Sequence, residues 1–238
     1  MNRLGELCLP AGVEGHVHAD ARAQAEALAL QVAAALRGAV KERGRALLVV
    51  SGGRSPVAFF ESLARQSLPW AQVQVSLADE RWVPPEHADS NEALVRRHLL
   101  QGPATQAMLL GLYRPAATPE QAAALAEQAL AGWPAIDVLV LGMGDDGHTA
   151  SLFAGSSNLP AALDPACTQR VLAQQAPSAP HQRLSLTLPV LRAAQLPLLA
   201  IQGAAKLATL QRALQPGPAS ELPVRALLQA PLQIHWCP

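Results

Sequence analysis

Three short polar segments of the chain contain residue types that can bind an anion and move a proton. Residues 51–55 read Ser-Gly-Gly-Arg-Ser, residues 79–91 begin with Asp-Glu-Arg and end at an asparagine, and residues 141–153 contain three glycines and one histidine. Backbone N–H groups and arginine side chains bind anions, and a histidine accepts a proton near neutral pH. Together these residue types indicate an anion site with a general base.

The first segment lies between a predicted strand at 46–50 and a predicted helix that Pro56 opens. In this position the N–H groups and the positive end of the helix dipole can point at one anion. An ordinary strand-to-helix turn has the same pattern, and no Gly-Lys-Ser/Thr follows, so a nucleoside triphosphate loop is disfavoured. The predicted anion-binding residues are Ser51, Gly52, Gly53, Arg54 and Ser55.

The second segment is predicted to be the end of a strand that runs into a polar loop. Neighbouring residues of an extended segment point to opposite sides, so Asp79 and Arg81 share one direction and Glu80 faces away. The pair Asp79 and Arg81 is compatible with a ligand site and equally with a surface ion pair. Asn91, after the loop, is predicted to lie near the same site.

The third segment follows the most apolar predicted strand, 136–142, and places His148 where a general base is needed. Gly142, Gly144 and Gly147 let the backbone turn sharply over a ligand. They satisfy the G-x-G-x-x-G pattern literally, but the spacing of a dinucleotide-binding unit is absent. A structural or exposed histidine is the alternative interpretation.

The scarcity of lysine in the chain also makes Lys206 a candidate site residue. The 18 basic and 18 acidic residues give no net charge, which argues against nucleic-acid and acidic-membrane partners. Lys41 and Lys206 are the lysines of the chain, and Lys206 starts a predicted helix directly after a predicted strand. A ligand contact is the favoured interpretation, and a solvated helix lysine is the alternative.

The predicted elements alternate between strands and helices over the whole chain, beginning with a long helix at 20–43. This alternation predicts one doubly wound α/β domain over 1–238, with its ligand site at the carboxyl ends of the strands. The three cysteines lack metal-site spacing, so we expect unpaired thiols and no metal. Neither a secretory leader nor a membrane span is apparent, which predicts a cytoplasmic protein.

The three segments, in this order and spacing, resemble the signature blocks of the 6-phosphogluconolactonase family. Residues 183–189, 203–206 and Trp236 resemble its later segments, so the likeness covers nearly the whole chain. The resemblance implies a three-layer α/β/α fold, like that of ribose-5-phosphate isomerase and glucosamine-6-phosphate deaminase. It also implies hydrolysis of 6-phospho-D-glucono-1,5-lactone to 6-phosphogluconate, the second step of the oxidative pentose phosphate pathway, without a cofactor.

By the same resemblance His148 is the general base and Asp146 a candidate to orient it. An oxyanion donor is expected from Arg81 or from the glycine-rich turn around Gly144. The phosphate and the sugar ring of the substrate are expected to be bound by residues 51–55, Asp79, Arg81, Asn91 and Lys206. Which of these residues binds the phosphate and which the ring is left open. Ala154 departs from the family's usual proline, and an acid is usual where the chain ends Cys-Pro.

Two other functions compete with this prediction. The first is a glucosamine-6-phosphate deaminase or isomerase, whose pattern carries a glutamate shortly after the histidine, whereas residues 149–153 are Thr-Ala-Ser-Leu-Phe. The second is a non-catalytic sugar-phosphate sensor, which usually carries an appended DNA-binding or partner domain. The small-molecule substrate is the expected partner, and a monomer and a homo-oligomer are equally compatible with the sequence.

Overall fold

The computed structural model describes residues 4–238 and contains ten strands. In chain order they are β1 (Val13–Val17), β2 (Ala46–Val50), β3 (Val73–Leu77), β4 (Asp79–Arg81), β5 (Met108–Leu110), β6 (Val138–Leu141), β7 (Val171–Gln175), β8 (Gln182–Leu186), β9 (Leu196–Gln202) and β10 (Leu232–Cys237). The runs of apolar and β-branched residues explain the central strands, since every residue of β2 and β6 is buried.

Within the described part of the chain, seven α-helices connect and cover the strands. They are α1 (Ala21–Arg43), α2 (Val57–Ala64), α3 (Asn91–His98), α4 (Pro119–Ala129), α5 (Leu159–Leu163), α6 (Leu188–Arg192) and α7 (Gly203–Ala213). Side-chain oxygens cap three of these helices. Asp20, Ser90 and Thr118 each accept a hydrogen bond from the backbone N–H of the residue three positions later. The predicted helix at 20–43 and the predicted cap at Ser90 are confirmed.

Seven strands form one parallel sheet in the order β1-β10-β9-β6-β2-β3-β5. From β2 the chain adds β3 and β5 on one side, and from β6 it adds β9 and β10 on the other, where the first strand of the chain, β1, pairs with β10 at the edge. The order therefore reverses between β2 and β6, and in open α/β sheets ligands bind at such a switch point. Residues 51–55 and 142–148 follow these two strands, so the topology brings the first and third polar segments together. The predicted α/β fold class is confirmed.

A second, antiparallel sheet contains β4, β8 and β7. The sequence pattern predicted one continuous strand that ends at 79–81 and then runs into a polar loop, and the continuity of that strand was wrong. The first strand ends at Leu77, and residues 79–81 form a separate strand paired with β8, with Asp79 opposite Ser185 and Arg81 opposite Arg183. The polar residues of β4 obtain backbone partners from this second sheet.

The core lies between the large sheet and the helices packed on it. On α1 the buried positions recur at helical spacing, including Ala25, Leu28, Val32 and Leu36, and this stripe packs toward β2, β6 and β10. Because this stripe is packed against the sheet, the sheet edge carrying the site rests on a closely packed base.

Within residues 4–238 no helix is long and apolar enough to cross a membrane.

Candidate active site

One cavity of about 520 Å³ opens at the carboxyl ends of β2, β6 and β9. All predicted site residues except Asp146 line it, and Asp146 is hydrogen-bonded to His148 instead. The lining members of the predicted set are Ser51, Gly52, Gly53, Arg54, Ser55, Asp79, Arg81, Asn91, Gly144, His148 and Lys206. Residues far apart in sequence thus converge on a single concave site.

His148 is held by a carboxylate on one side of its ring. Its Nδ1 lies 2.5 Å from Asp146 Oδ1, and its backbone N–H donates to the same oxygen at 3.1 Å. The hydrogen bond to His148 lowers the pKa of Asp146, so this carboxyl group is an ionised acceptor. The proton of a neutral imidazole consequently belongs on Nδ1. Its Nε2 makes no hydrogen bond to any residue between 4 and 238 and can accept a proton.

Two neighbours fix where this imidazole lies. A Cβ atom on Gly144 would be 2.2 Å from His148 Nδ1 and 2.5 Å from Asp146 Oδ1, so only glycine leaves room for the pair. The ring of Phe153 packs against the imidazole with 4.4 Å between ring centroids. The glycine that the sequence pattern singled out therefore makes space for the histidine and its partner.

The segment 51–55 presents a buried polar atom to the cavity. Ser51 continues the sheet by donating its N–H to Val140 O at 2.9 Å, while its Oγ is buried without a hydrogen-bond partner. Gly53 has φ of 101°, a conformation that favours glycine. A hydroxyl left unpaired inside a protein is costly, and a bound anion would satisfy it.

Residues 79–91 form the opposite wall, with the alternation that the sequence predicted. Asp79 and Arg81 line the cavity, whereas Glu80 is fully buried. Asp79 Oδ2 accepts a hydrogen bond from Ser151 Oγ at 2.6 Å. Arg81 donates from Nη1 to Asp89 O at 2.6 Å, and its buried Nε has no partner. Asp79 and Arg81 therefore do not form the surface ion pair that the sequence left open.

Asn91 joins this wall to the first segment. Its Nδ2 donates to Asp79 O at 2.9 Å, and its Oδ1 lies where a Cβ on Gly52 would stand, 1.9 Å away. Because Gly52 has no side chain, the asparagine can pack directly on the anion-binding segment. The two predicted segments are therefore physically coupled through one amide side chain.

Positive charge is concentrated in the cavity of a chain that is neutral overall. Lys206 lies in the first turn of α7 and forms no ion pair within residues 4–238. Among the residues that the structure describes, four cationic side chains line the cavity, against the carboxylates of Asp79 and Asp145: Arg54, Arg81, Arg183 and Lys206. This excess of positive charge suits a ligand carrying a phosphate.

Arg183 and two glutamines line the cavity but were not predicted as site residues. Arg183 is buried, its Nε donates to Pro180 O at 2.8 Å, and burial lowers its pKa. Gln24 donates to Ile201 O and accepts from Gln202 Nε2, each at 2.9 Å. The available signals were an arginine within an apolar strand and a glutamine on the buried stripe of α1.

Comparison with known proteins now identifies the family. The sequence model described as glucosamine-6-phosphate isomerases/6-phosphogluconolactonase matches residues 19–236. The chain belongs to this family. It is 59% identical over 236 residues to a 6-phosphogluconolactonase of Pseudomonas aeruginosa, covering 99% of both chains.

Solved structures agree with the fold. A crystal structure of a 6-phosphogluconolactonase from Shewanella baltica matches with a TM-score of 0.93 and 36% identity, covering 97% of this chain and 100% of that one. A monomeric glucosamine-6-phosphate deaminase matches with a TM-score of 0.76 at 17% identity, over 94% of this chain and 97% of that one. The second likeness is one of fold alone.

Proposed function

We propose that this protein is a 6-phosphogluconolactonase, which hydrolyses 6-phospho-D-glucono-1,5-lactone to 6-phosphogluconate in the pentose phosphate pathway. The family match and the name of the relative at 59% identity support this activity. The observation that carries it is the free Nε2 of His148, in a cavity lined by cationic groups, with Nδ1 tied to Asp146. That arrangement suits a general base acting next to an anionic substrate.

The phosphate of the substrate is assigned to the segment 51–55 and Lys206. The unpaired Ser51 Oγ, the glycine backbone and the lysine ammonium supply the donors that a phosphate accepts. With the phosphate there, the sugar ring extends toward His148, and Asp79, Arg81 and Asn91 lie along its course. This assignment uses both walls of the cavity.

Hydrolysis follows from the His148 geometry. Nε2 accepts a proton from water as the water oxygen bonds to the lactone carbonyl carbon, and the carbonyl oxygen becomes an oxyanion. Arg81 or N–H groups of the turn around Gly144 stabilise that charge. When the intermediate collapses, the bond from the carbonyl carbon to the ring oxygen breaks, and His148 returns its proton to that oxygen. Asp146 stabilises the imidazolium throughout.

The competing deaminase activity lacks support in the cavity wall. No glutamate lines the cavity within residues 4–238, and of the five residues that directly follow His148 the ones lining it are Thr149, Ala150 and Phe153. A deaminase of the pattern considered above uses a glutamate after its histidine to open the sugar ring. The lactone, which is already an activated ester, needs only the base and an oxyanion donor.

The proposal is tested by assaying the purified protein with two substrates in separate reactions. One is freshly generated 6-phosphogluconolactone and the other is glucosamine 6-phosphate. The lactone also hydrolyses without enzyme, so the rate of an enzyme-free reaction is subtracted. A rate above that background on the lactone, with none on the amino sugar phosphate, is expected. Turnover of glucosamine 6-phosphate, or no lactone rate above background, would contradict the proposal.

The remaining expectations are part of the same proposal. We propose one domain over residues 1–238, a cytoplasmic location, no cofactor and no nucleic-acid partner. The α/β alternation along the chain supports one domain, and the neutral charge balance argues against a nucleic-acid partner. Sedimentation of the purified chain distinguishes a monomer from a homo-oligomer.

A further inference from the structure

We infer that Glu80 is a positioning residue for the proposed lactonase reaction, holding Arg81 and Asn91 at the cavity through its ionised carboxylate. The inference rests on the proposed function. Glu80 does not line the cavity, and its side chain is 0% exposed. It lies between two residues that do line the cavity, Asp79 and Arg81.

Four donors converge on this carboxylate. Oε1 accepts from the backbone N–H groups of Arg81 and Asn91, each at 2.7 Å. Oε2 accepts from the N–H of Glu92 at 2.8 Å and from Ser90 Oγ at 3.1 Å. Two carboxylate oxygens offer about four lone-pair sites, so the ionised group is saturated.

These hydrogen bonds connect the cavity wall formed by residues 79–91 to the anion-binding segment 51–55. Glu80 binds the first free N–H groups of α3 and so fixes where that helix begins, at Asn91. Asn91 in turn packs on Gly52 and bonds to Asp79 O. Displacing the carboxylate would therefore shift Asn91 and Arg81 together, and with them one wall of the cavity.

Protonation of Glu80 conflicts with this pattern. A protonated carboxyl group becomes a donor at one oxygen and needs an acceptor there, but three of its four partners are backbone N–H groups that cannot accept a hydrogen bond. Only the Ser90 hydroxyl can reverse its role. Burial raises the pKa of Glu80 to about 7, outweighing the donors that lower it, so the conflict arises near neutral pH.

The charged groups around Glu80 come from several elements. On the same strand, the negative charge of Asp79 raises the pKa of Glu80 further. On β8, the positive charge of Arg183 interacts favourably with the negative charge of Glu80. Glu92 on α3 is neutralised by Arg96 at 2.7 Å. Glu80 is therefore expected to lose its charge as the pH falls below about 7.

The test compares Glu80→Gln with the full-length wild type across the pH range around 7. Above that pH, kcat/KM of E80Q should be lower by about tenfold or more, since an amide presents two donors where two N–H groups must be accepted. Below it, the ratio of the two kcat/KM values should shrink, because wild-type Glu80 also becomes neutral. Groups that titrate alike in both proteins cancel from this ratio.

Asp137→Asn is the matched control. Asp137 is also buried and accepts Leu47 N–H at 2.7 Å, but it precedes β6, at the end of the sheet opposite the cavity. D137N should lose stability without a change in kcat/KM. An E80Q ratio that is independent of pH, or an equal loss in D137N, would overturn the positioning role.

A measurement on the wild type alone covers the case in which E80Q does not fold. The amide NMR resonances of Asn91 and Glu92 should shift together with a midpoint near pH 7, while that of Leu47 should not. Unshifted Asn91 and Glu92 resonances across this range would overturn the inference. A wild type without any lactonase rate would instead overturn the proposed function, whatever the resonances do.

Discussion

His148 and His235 have the same side chain in opposite surroundings. His148 is partly exposed at a cavity, with Asp146 on Nδ1 and a free Nε2. His235 is buried on β10, and its ring is stacked with those of His16 and His18 at centroid distances of 4.6 and 5.2 Å. Its burial, followed by the charges of those two histidines, lowers its pKa to about 3.

The comparison shows that surroundings, not residue type, make a base. A carboxylate partner orients His148 and stabilises its protonated form, which a base must reach in the reaction. His235 is buried beside two other imidazoles, so it stays neutral across the pH range of metabolism.

The largest expected effect is the loss of the base. His148→Ala should lower kcat on the lactone by about 10²-fold or more, whereas phosphosugar binding should persist. Stopped-flow lactonase assays and binding titrations with 6-phosphogluconate measure the two quantities. His235→Phe, once shown to be folded, serves as the control with near wild-type kcat. Wild-type turnover in H148A would remove His148 from the mechanism.

Loss of the orienting carboxylate should have a smaller effect. Asp146→Asn removes the anion that fixes the His148 tautomer, so kcat should fall by about 10- to 100-fold with little change in KM. Asp146 is more exposed than a buried triad carboxylate, and water can replace part of its effect. Steady-state kinetics at saturating lactone measures the loss. An unchanged kcat would show that the 2.5 Å contact does not assist the base.

The two lysines provide a comparison for substrate binding. Lys206→Ala should raise KM for the phosphorylated lactone by about 10- to 100-fold, the value of one charge-assisted hydrogen bond of about 1.5–3 kcal/mol. The effect on unphosphorylated gluconolactone should be smaller. Lys41→Ala, at an exposed position of α1 away from the cavity, is the matched control. Equal losses on both substrates in K206A would argue against a phosphate contact.

The smallest effect on activity, but a clear one on stability, is expected at His235. Because its pKa is depressed in the folded protein, the unfolded chain binds the proton first, and stability is lost as the pH falls from about 6.5 toward about 3. His235→Phe should flatten that loss, as measured by urea unfolding at several pH values. The same steepness in H235F and wild type would assign the acid sensitivity to other groups.

Several parts of the fold could be predicted because local signals agree. The apolar runs of β2 and β6, the Asp20 and Ser90 caps and the proline-free α1 are each decided within a short segment. The alternation at 79–81 also predicted correctly which side chains share the cavity. Such features depend on periodicity and capping, which act over a few residues.

Other parts depend on partners that are distant in the chain. The edge strand β1 is short and rich in polar residues, and it exists because it pairs with β10, more than two hundred residues later. The second sheet likewise joins β4 to β8, about a hundred residues apart. Arg183 enters the cavity only through that pairing. Periodicity carries no information on such long-range contacts.

The tautomer of His148 decides whether Asp146 orients the base. In ¹⁵N-histidine-labelled protein, with the signals assigned through H148A, the neutral imidazole of His148 should carry its proton on Nδ1 and leave Nε2 unprotonated. That result is what a base oriented by Asp146 requires. A neutral His148 with its proton on Nε2 would leave no acceptor facing the cavity and would contradict the account.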